Sequence, residues 1–311
     1  MLVSGPMALF GCKILSRGFL STTAVRSISS LTNLENVKVV DEGSGVAHVQ
    51  LNRPKSRNAL TIGLWDDLKT AFDHLDTCSS CRAIVLSGNG LSFGVGIDLK
   101  EGITKIMDVA GDKSKDVSRK ALALLNLINY IQKSFNSAYL CKKPVIAAIH
   151  GHCIGGTISL AALTDIRYAV KTTVFNIKVG IGGRCWIGSG RRKFLNVISK
   201  ITGNDSWCRE LAFTARDFNG TEGVEKGFLS RAFDTQKECL DGALDLAKEI
   251  ASKSPIAVQG SKLAMNYARD HTVQETFDYI KVWNSVHLQT EDMVKVAQAM
   301  MEKKKAVFND A

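Results

Sequence analysis

Lys143-Pro-Val-Ile-Ala-Ala-Ile-His-Gly-His-Cys-Ile-Gly-Gly156 carries the reading of the fold. Five apolar residues, Val145 to Ile149, follow a proline and stop at His150-Gly151. A short, uninterrupted apolar run bounded by turn residues predicts a strand buried on both faces. Gly151, Gly155 and Gly156 then predict a tight turn, and an alanine-rich helix follows from about 156 to 163. Strand, glycine turn and helix in that order form the basic unit of an α/β protein.

The same grammar extends in both directions. Upstream, Val46–Leu51 alternates and ends at Asn52-Arg53-Pro54, which predicts a strand and a turn. From Thr61, Trp65, Leu68, Phe72 and Leu75 recur at helical spacing. Arg82–Ser87 predicts a second buried strand. It leads to another glycine turn, Phe93-Gly-Val-Gly-Ile-Asp98-Leu99. Residues 115–140 read as a long helix. Downstream, 165–170 and 174–179 predict two more strands, and beyond about 206 the periodicity is helical. The expected organisation is an α/β core over 37–235 with a helical C-terminal region over 236–311.

Composition limits the alternatives. The chain has 311 residues, 45% apolar and 23% charged, as a soluble, core-forming protein does. No run approaches the roughly 18 apolar residues of a membrane span. The net charge is +10, with its basic excess concentrated in two places. Residues 1–26 contain Lys13, Arg17, Arg26 and no acid, and predict a mitochondrial transit peptide cleaved near Ser27. Residues 166–204 hold eight Lys or Arg and no Asp or Glu. Within them Arg191-Arg192-Lys193 could meet phosphates of a small ligand or of nucleic acid, but with no interleaved aromatic platform beyond Trp186 and Phe194 a solvated surface or interface is expected. The eight cysteines are dispersed, and Cys78-Ser-Ser-Cys81 is the only C-x-x-C, so reduced thiols and no metal are expected.

The two glycine turns suggest where chemistry could sit. Glycine lets backbone N–H groups approach a ligand closely, and two N–H groups aimed at one point stabilise a developing oxyanion. Each turn alone is a structural corner more often than a site. The wider motif set is more specific: Asn52-Arg-Pro54, Arg57-Asn-Ala-Leu60, Gly96-Ile-Asp-Leu99, Lys143–Gly151, Cys153-Ile-Gly-Gly156, Asp165-Ile-Arg-Tyr168, Glu210–Arg216 and Lys253-Ser-Pro255. In that order they resemble the enoyl-CoA hydratase/isomerase (crotonase) superfamily. Tyr267-x-Arg269-Asp270-His271 and Trp283-Asn284, with Leu288-Gln289-Thr290, resemble its dienoyl-CoA isomerase branch.

That resemblance implies a ClpP-like spiral of ββα units with a helical C-terminal trimerisation region. It implies a homotrimer or homohexamer in the mitochondrial matrix and a role in unsaturated fatty-acid β-oxidation. The ligand would be an acyl-CoA thioester, with no separate cofactor. Its oxygen would be held by the N–H groups of Ile97 and Gly156. Val95, Gly96, Ile97, Asp98, Leu99, Ala59 and Leu60 would line the site.

The sequence departs from this family where carboxylates should move protons. The three acid positions fall on Ser159, Val179 and Ile187, or on Arg191 for the last if the loop is longer. The third glycine of the run is Thr157. His152, Cys153 and Cys185 are the remaining candidates for a base, although a histidine in the His-Gly-His turn is expected to bond the backbone instead. Three readings stand at this point: an acyl-CoA-binding pseudoenzyme, an isomerase with unusual acid/base groups, or a gene-model fault within residues 180–194. An RNA-binding relative is a further alternative.

Overall fold

In the computed structural model, residues 27–31, 33–177 and 189–311 are described. The transit-peptide expectation at 1–26 and the positions Val179, Cys185 and Ile187 therefore lie outside the described residues.

Six strands form the main sheet. β1 (Val37–Asp41) pairs antiparallel with β2 (Val46–Leu51). Parallel pairing then runs from β2 to β3 (Ala83–Gly88) and β4 (Val145–Ile149). It continues through β6 (Ile166–Val170) to β8 (Arg231–Phe233). A second sheet joins β5 (His152–Ile154) in parallel to β7 (Val174–Asn176). β1, β5 and β8 were not anticipated. β5 and β8 are three residues long, too short to show a period of two.

β3 and β4 are buried along their full length, as their unbroken apolar runs require. One sheet face carries Val49, Leu51, Ile84, Leu86, Ala147 and Ile149 into the larger core. Helix α1 (Ile62–Thr77) packs there through Leu64, Trp65, Leu68, Phe72 and Leu75, starting where the Thr61 hydroxyl accepts the Leu64 N–H. The other face carries Val46, Ala83, Val85, Ile146 and Ala148. It is covered by α8 (Gln236–Ala251), which presents Cys239, Ala243 and Ala247. Small residues on that helix let it lie close to the sheet.

The expected helix over 115–140 is preceded by an unanticipated one. α2 (Leu99–Gly111) begins at the Asp98 cap, and α3 (Val117–Leu140) follows with its last turns buried at Phe135 and Ala138. Short α4 (Gly156–Ala162) is wholly buried, and α5 (Ser189–Thr202) includes positions 191–193. The remaining helices are α6 (Asp205–Thr214), α7 (Gly220–Glu225), α9 (Pro255–Ala268), α10 (Val273–His287) and α11 (Glu291–Met301). α10 buries none of its residues. Among the described residues no helix is long and apolar enough to cross a membrane.

Buried Lys262 fastens α9 to the core. Its ammonium donates to the carbonyls of Ala138 and Lys143 at 3.2 and 2.9 Å and pairs with Asp165 at 2.7 Å. The same Asp165 oxygen accepts the Val145 N–H at the start of β4.

Candidate functional site

The two glycine turns meet. Segment 93–98 runs between β5 on one side and Leu60 on the other. On the β5 side, Gly94 N–H donates to His152 O at 2.9 Å and Ile154 N–H to Gly94 O at 3.0 Å. On the other, Leu60 N–H donates to Gly96 O at 2.7 Å and Asp98 N–H to Leu60 O at 2.9 Å. These bonds fix the backbone around Ile97 on both flanks. Gly96 has φ +89°, and a Cβ there would lie 2.9 Å from Ile154 O, so the turn needs glycine on two counts. Gly155 also has positive φ, +60°, and its N–H donates to Asn176 O at 2.9 Å.

The N–H groups of Ile97 and Gly156 are left over. Among the described residues neither has a backbone acceptor, whereas those of Leu60, Asp98, Ile154 and Gly155 are all engaged. Gly156 is the first residue of α4, where an N–H has no partner within the helix. The two residues are close: a Cβ on Gly96 would sit 3.5 Å from Gly156 N, and one on Gly156 would sit 3.6 Å from Ile97 Cγ1. Two unspent donors on neighbouring fixed turns can stabilise negative charge on a ligand oxygen. Leu60 and Phe135 form the apolar wall, at 2.8 and 3.3 Å from a Cβ placed on Gly156.

Thr157 ties the turns together. Its hydroxyl accepts the Ile154 N–H at 3.0 Å and lies 2.8 Å from Gly94 O and Ile154 O, to one of which its proton is donated. Its methyl fills the space beside Gly94. Thr157, at the position where the resemblance leads one to expect glycine, is thus a buried clamp. Asn176 is a contributor that the sequence did not reveal. It serves the turn through its carbonyl, and its amide group bonds Ala215 O and the Asp217 carboxylate.

The other expected residues divide. Ala59 and Leu60 are buried beside the turn, and Leu99 is half exposed. Asp98 caps α2 through Lys100 N and Glu101 N and approaches Arg53 at 3.8 Å. Glu101 accepts the Ile62 N–H at 3.2 Å. These two carboxylates, nearest in sequence to the first turn, have structural partners. Ser159 is buried in α4, one turn after Gly156. Among the described residues no cluster of His, Cys, Asp or Glu is placed to hold a metal ion.

The alternative bases have other tasks. Cys153 is fully buried, and desolvation pushes its thiol far above the ordinary range. His152 Nδ1 lies 3.1 Å from Ser92 Oγ, a side-chain contact. The backbone bond expected for this turn is made by its neighbour: His150 Nε2 donates to Gly90 O at 2.9 Å, and burial lowers the pKa of that imidazole.

The comparisons agree with this geometry. Residues 41–311 match the model of the enoyl-CoA hydratase/isomerase family. The rat mitochondrial Δ3,5-Δ2,4-dienoyl-CoA isomerase is 44% identical over 273 residues, covering 88% of this chain and 81% of its own. The peroxisomal enzyme of that name from Arabidopsis thaliana is 34% identical, covering 85% of this chain and 93% of its own. The crystal structure of the Bacillus anthracis enoyl-CoA hydratase superposes with a TM-score of 0.76 at 24% identity, over 88% of this chain and 99% of that one. Motif order, glycine-turn geometry and a family match across most of the chain converge: this chain belongs to the enoyl-CoA hydratase/isomerase family.

Proposed function

We propose that this protein binds an acyl-CoA thioester in mitochondrial unsaturated fatty-acid β-oxidation, as a relative of Δ3,5-Δ2,4-dienoyl-CoA isomerase. The observation that carries this reading is the pair of N–H groups on Ile97 and Gly156 that have no backbone acceptor among the described residues, with Leu60 and Phe135 packed beside Gly156. Withdrawing a proton beside a thioester builds an enolate, and two donors in a dry site favour that charge over the neutral carbonyl. The likeness to the mitochondrial isomerases supports the substrate class and the compartment.

A second reading has its own observation. Buried Ser159 stands where the family likeness calls for a proton-moving acid, and Asp98 and Glu101 are engaged in capping. On this reading the protein retains thioester binding without turnover and acts as a binding or regulatory subunit. Exposed apolar side chains on α10 and α11, among them Phe277, Val282, Val286 and Met300, support a homotrimer or homohexamer. Sedimentation of the purified chain tests that assembly.

One titration separates the two functions. A 3,5-dienoyl-CoA is added to the mature chain while binding and the ultraviolet absorbance of a conjugated 2,4-diene are followed together. Binding with product at a rate well above background supports the isomerase. Binding without product supports the subunit. Absence of binding refutes both.

A further inference from the structure

Two stretches of backbone that are far apart in the sequence meet on one side chain. Asn58 is fully buried, and both polar ends of its amide are engaged. Its Oδ1 accepts the Arg53 N–H at 2.8 Å, and its Nδ2 donates to Asn89 O at 3.0 Å and to Ser92 O at 2.8 Å. The first bond closes the 53–58 loop on itself, where Asn58 N–H also donates to Arg53 O at 2.9 Å. The other two tie that loop to the segment leaving β3. Arg57 and Asn58 hold consecutive left-handed φ angles, +49° and +56°. Asparagine accepts that conformation more readily than most residues that carry a Cβ.

The loop and the segment end on the same backbone. From Asn58 the chain runs two residues to Leu60, whose N–H and carbonyl bracket Ile97 by bonding Gly96 O and Asp98 N–H. From Ser92 it runs through Phe93 and Gly94 to Ile97 itself. Phe93 N–H donates to His150 O at 2.8 Å and Gly94 N–H to His152 O at 2.9 Å, which sets this run against the stretch leading to Gly156. Asn58 therefore joins, at their common root, the two backbone runs that hold the Ile97 N–H. Arg53 supports the same joint: its Nη1 donates to Ala59 O at 2.5 Å and lies 3.8 Å from the Asp98 carboxylate.

We propose that Asn58 is a positioning residue for the oxyanion pair, fixing the Ile97 N–H relative to that of Gly156. This inference rests on the acyl-CoA reading above. The amide of Asn58 is spent on backbone, so it acts through the turn and makes no ligand contact of its own. A hydrogen bond weakens steeply with misalignment. Slack at the root of the turn therefore weakens the hold on a thioester oxygen and leaves contacts with the rest of the CoA in place.

The test compares two probes, butyryl-CoA and S-butyl-CoA, a thioether with the same chain length and no carbonyl oxygen. Their affinity ratio, measured by calorimetry well below the unfolding temperature, isolates the contribution of that oxygen. The wild type prefers the thioester. Asn58→Gly leaves the backbone free to adopt positive φ and removes the three side-chain bonds. It reduces the preference by about five- to tenfold, the worth of about one hydrogen bond. Asn58→Asp keeps the acceptor for Arg53 and loses both donors, so it shows the same loss and serves if the glycine variant does not fold. Lys262→Met, which weakens the fold at the start of β4 and away from the turn that follows that strand, keeps the wild-type ratio. Lost stability is thereby separated from lost position. Thermal unfolding confirms that each variant is folded. A folded Asn58 variant with the wild-type ratio overturns the proposal, as does an equal fall in Lys262→Met. Equal affinity of the wild type for the two probes overturns it as well. Absence of binding of either probe to the wild type refutes the acyl-CoA reading itself, and this inference with it.

Discussion

Gly94 and Thr157 offer a direct test of how closely the two glycine turns approach. A Cβ on Gly94 would lie 2.4 Å from Thr157 Cγ2 and 3.2 Å from both Thr157 Cβ and Asn58 O. Ordinary carbon–carbon contact is about 3.5–4.0 Å, so Gly94→Ala needs more than an ångström of relief. Thr157 cannot supply it by rotating, because its hydroxyl is held between Ile154 and Gly94 and its side chain is buried. The turns must separate, at a cost of about 2–3 kcal/mol for overpacking. Thr157→Gly alone loses a hydrogen bond of about 1 kcal/mol and about 0.3 kcal/mol of helix propensity. In the double variant the serious clash is gone and only the Asn58 O contact remains. Its stability should therefore match that of Thr157→Gly, giving a coupling energy of about 2 kcal/mol. Four proteins, urea unfolding and a thermal scan measure this, with about 2–4 °C of Tm per kcal/mol. The same four are titrated with an acyl-CoA, and Gly94→Ala should bind weakly and the double variant recover. Additivity within about 0.5 kcal/mol would refute the contact, and with it the geometry assigned to the site.

Three further outcomes follow from the same structure. Gly156→Ala places a methyl against Leu60 and Phe135 and shifts the donor N–H, so acyl-CoA affinity by calorimetry should fall at least about tenfold, equivalent to about 1.4 kcal/mol. Lys262→Met removes three donor contacts and leaves Asp165 with the Val145 N–H and partial solvent. Urea unfolding should show a loss of about 3 kcal/mol, at the low end for breaking a buried pair. Burial lowers the pKa of both His48 and His150, so the unfolded chain binds protons that the folded chain refuses as pH falls below about 6.5. Stability should thus be full above that pH and decline from there toward the lowered folded values. Tm measured from pH 7.5 to 5.5 should drop, and His150→Gln should flatten the curve.

Much of the fold was legible because its signals are local. The apolar runs at β3 and β4, the periodicity of α1 and the order of glycine turns each depend on residues adjacent in the chain. The helical periodicity read beyond about 206 is matched by α8 to α11, since amphipathic spacing persists over several turns. Short β5 and β8 carried no such pattern. α2 was missed because its start is set by one capping residue, Asp98, within a segment read as part of a binding turn.

The sequence by itself determined the family and the positions of the glycine turns, because these are matters of residue type and order. Tertiary structure alone decided which groups face one another. Only folding brings Ile97 beside Gly156 and leaves those two N–H groups without backbone acceptors among the described residues while their neighbours are paired. Only folding turns Thr157 into a clamp on Gly94, and aligns Ser87 with His48 across adjacent strands. The physical reason is the same in each case. A hydrogen bond depends on distance and direction to within a few tenths of an ångström, and strand register between residues dozens of positions apart is set by the packed core as a whole.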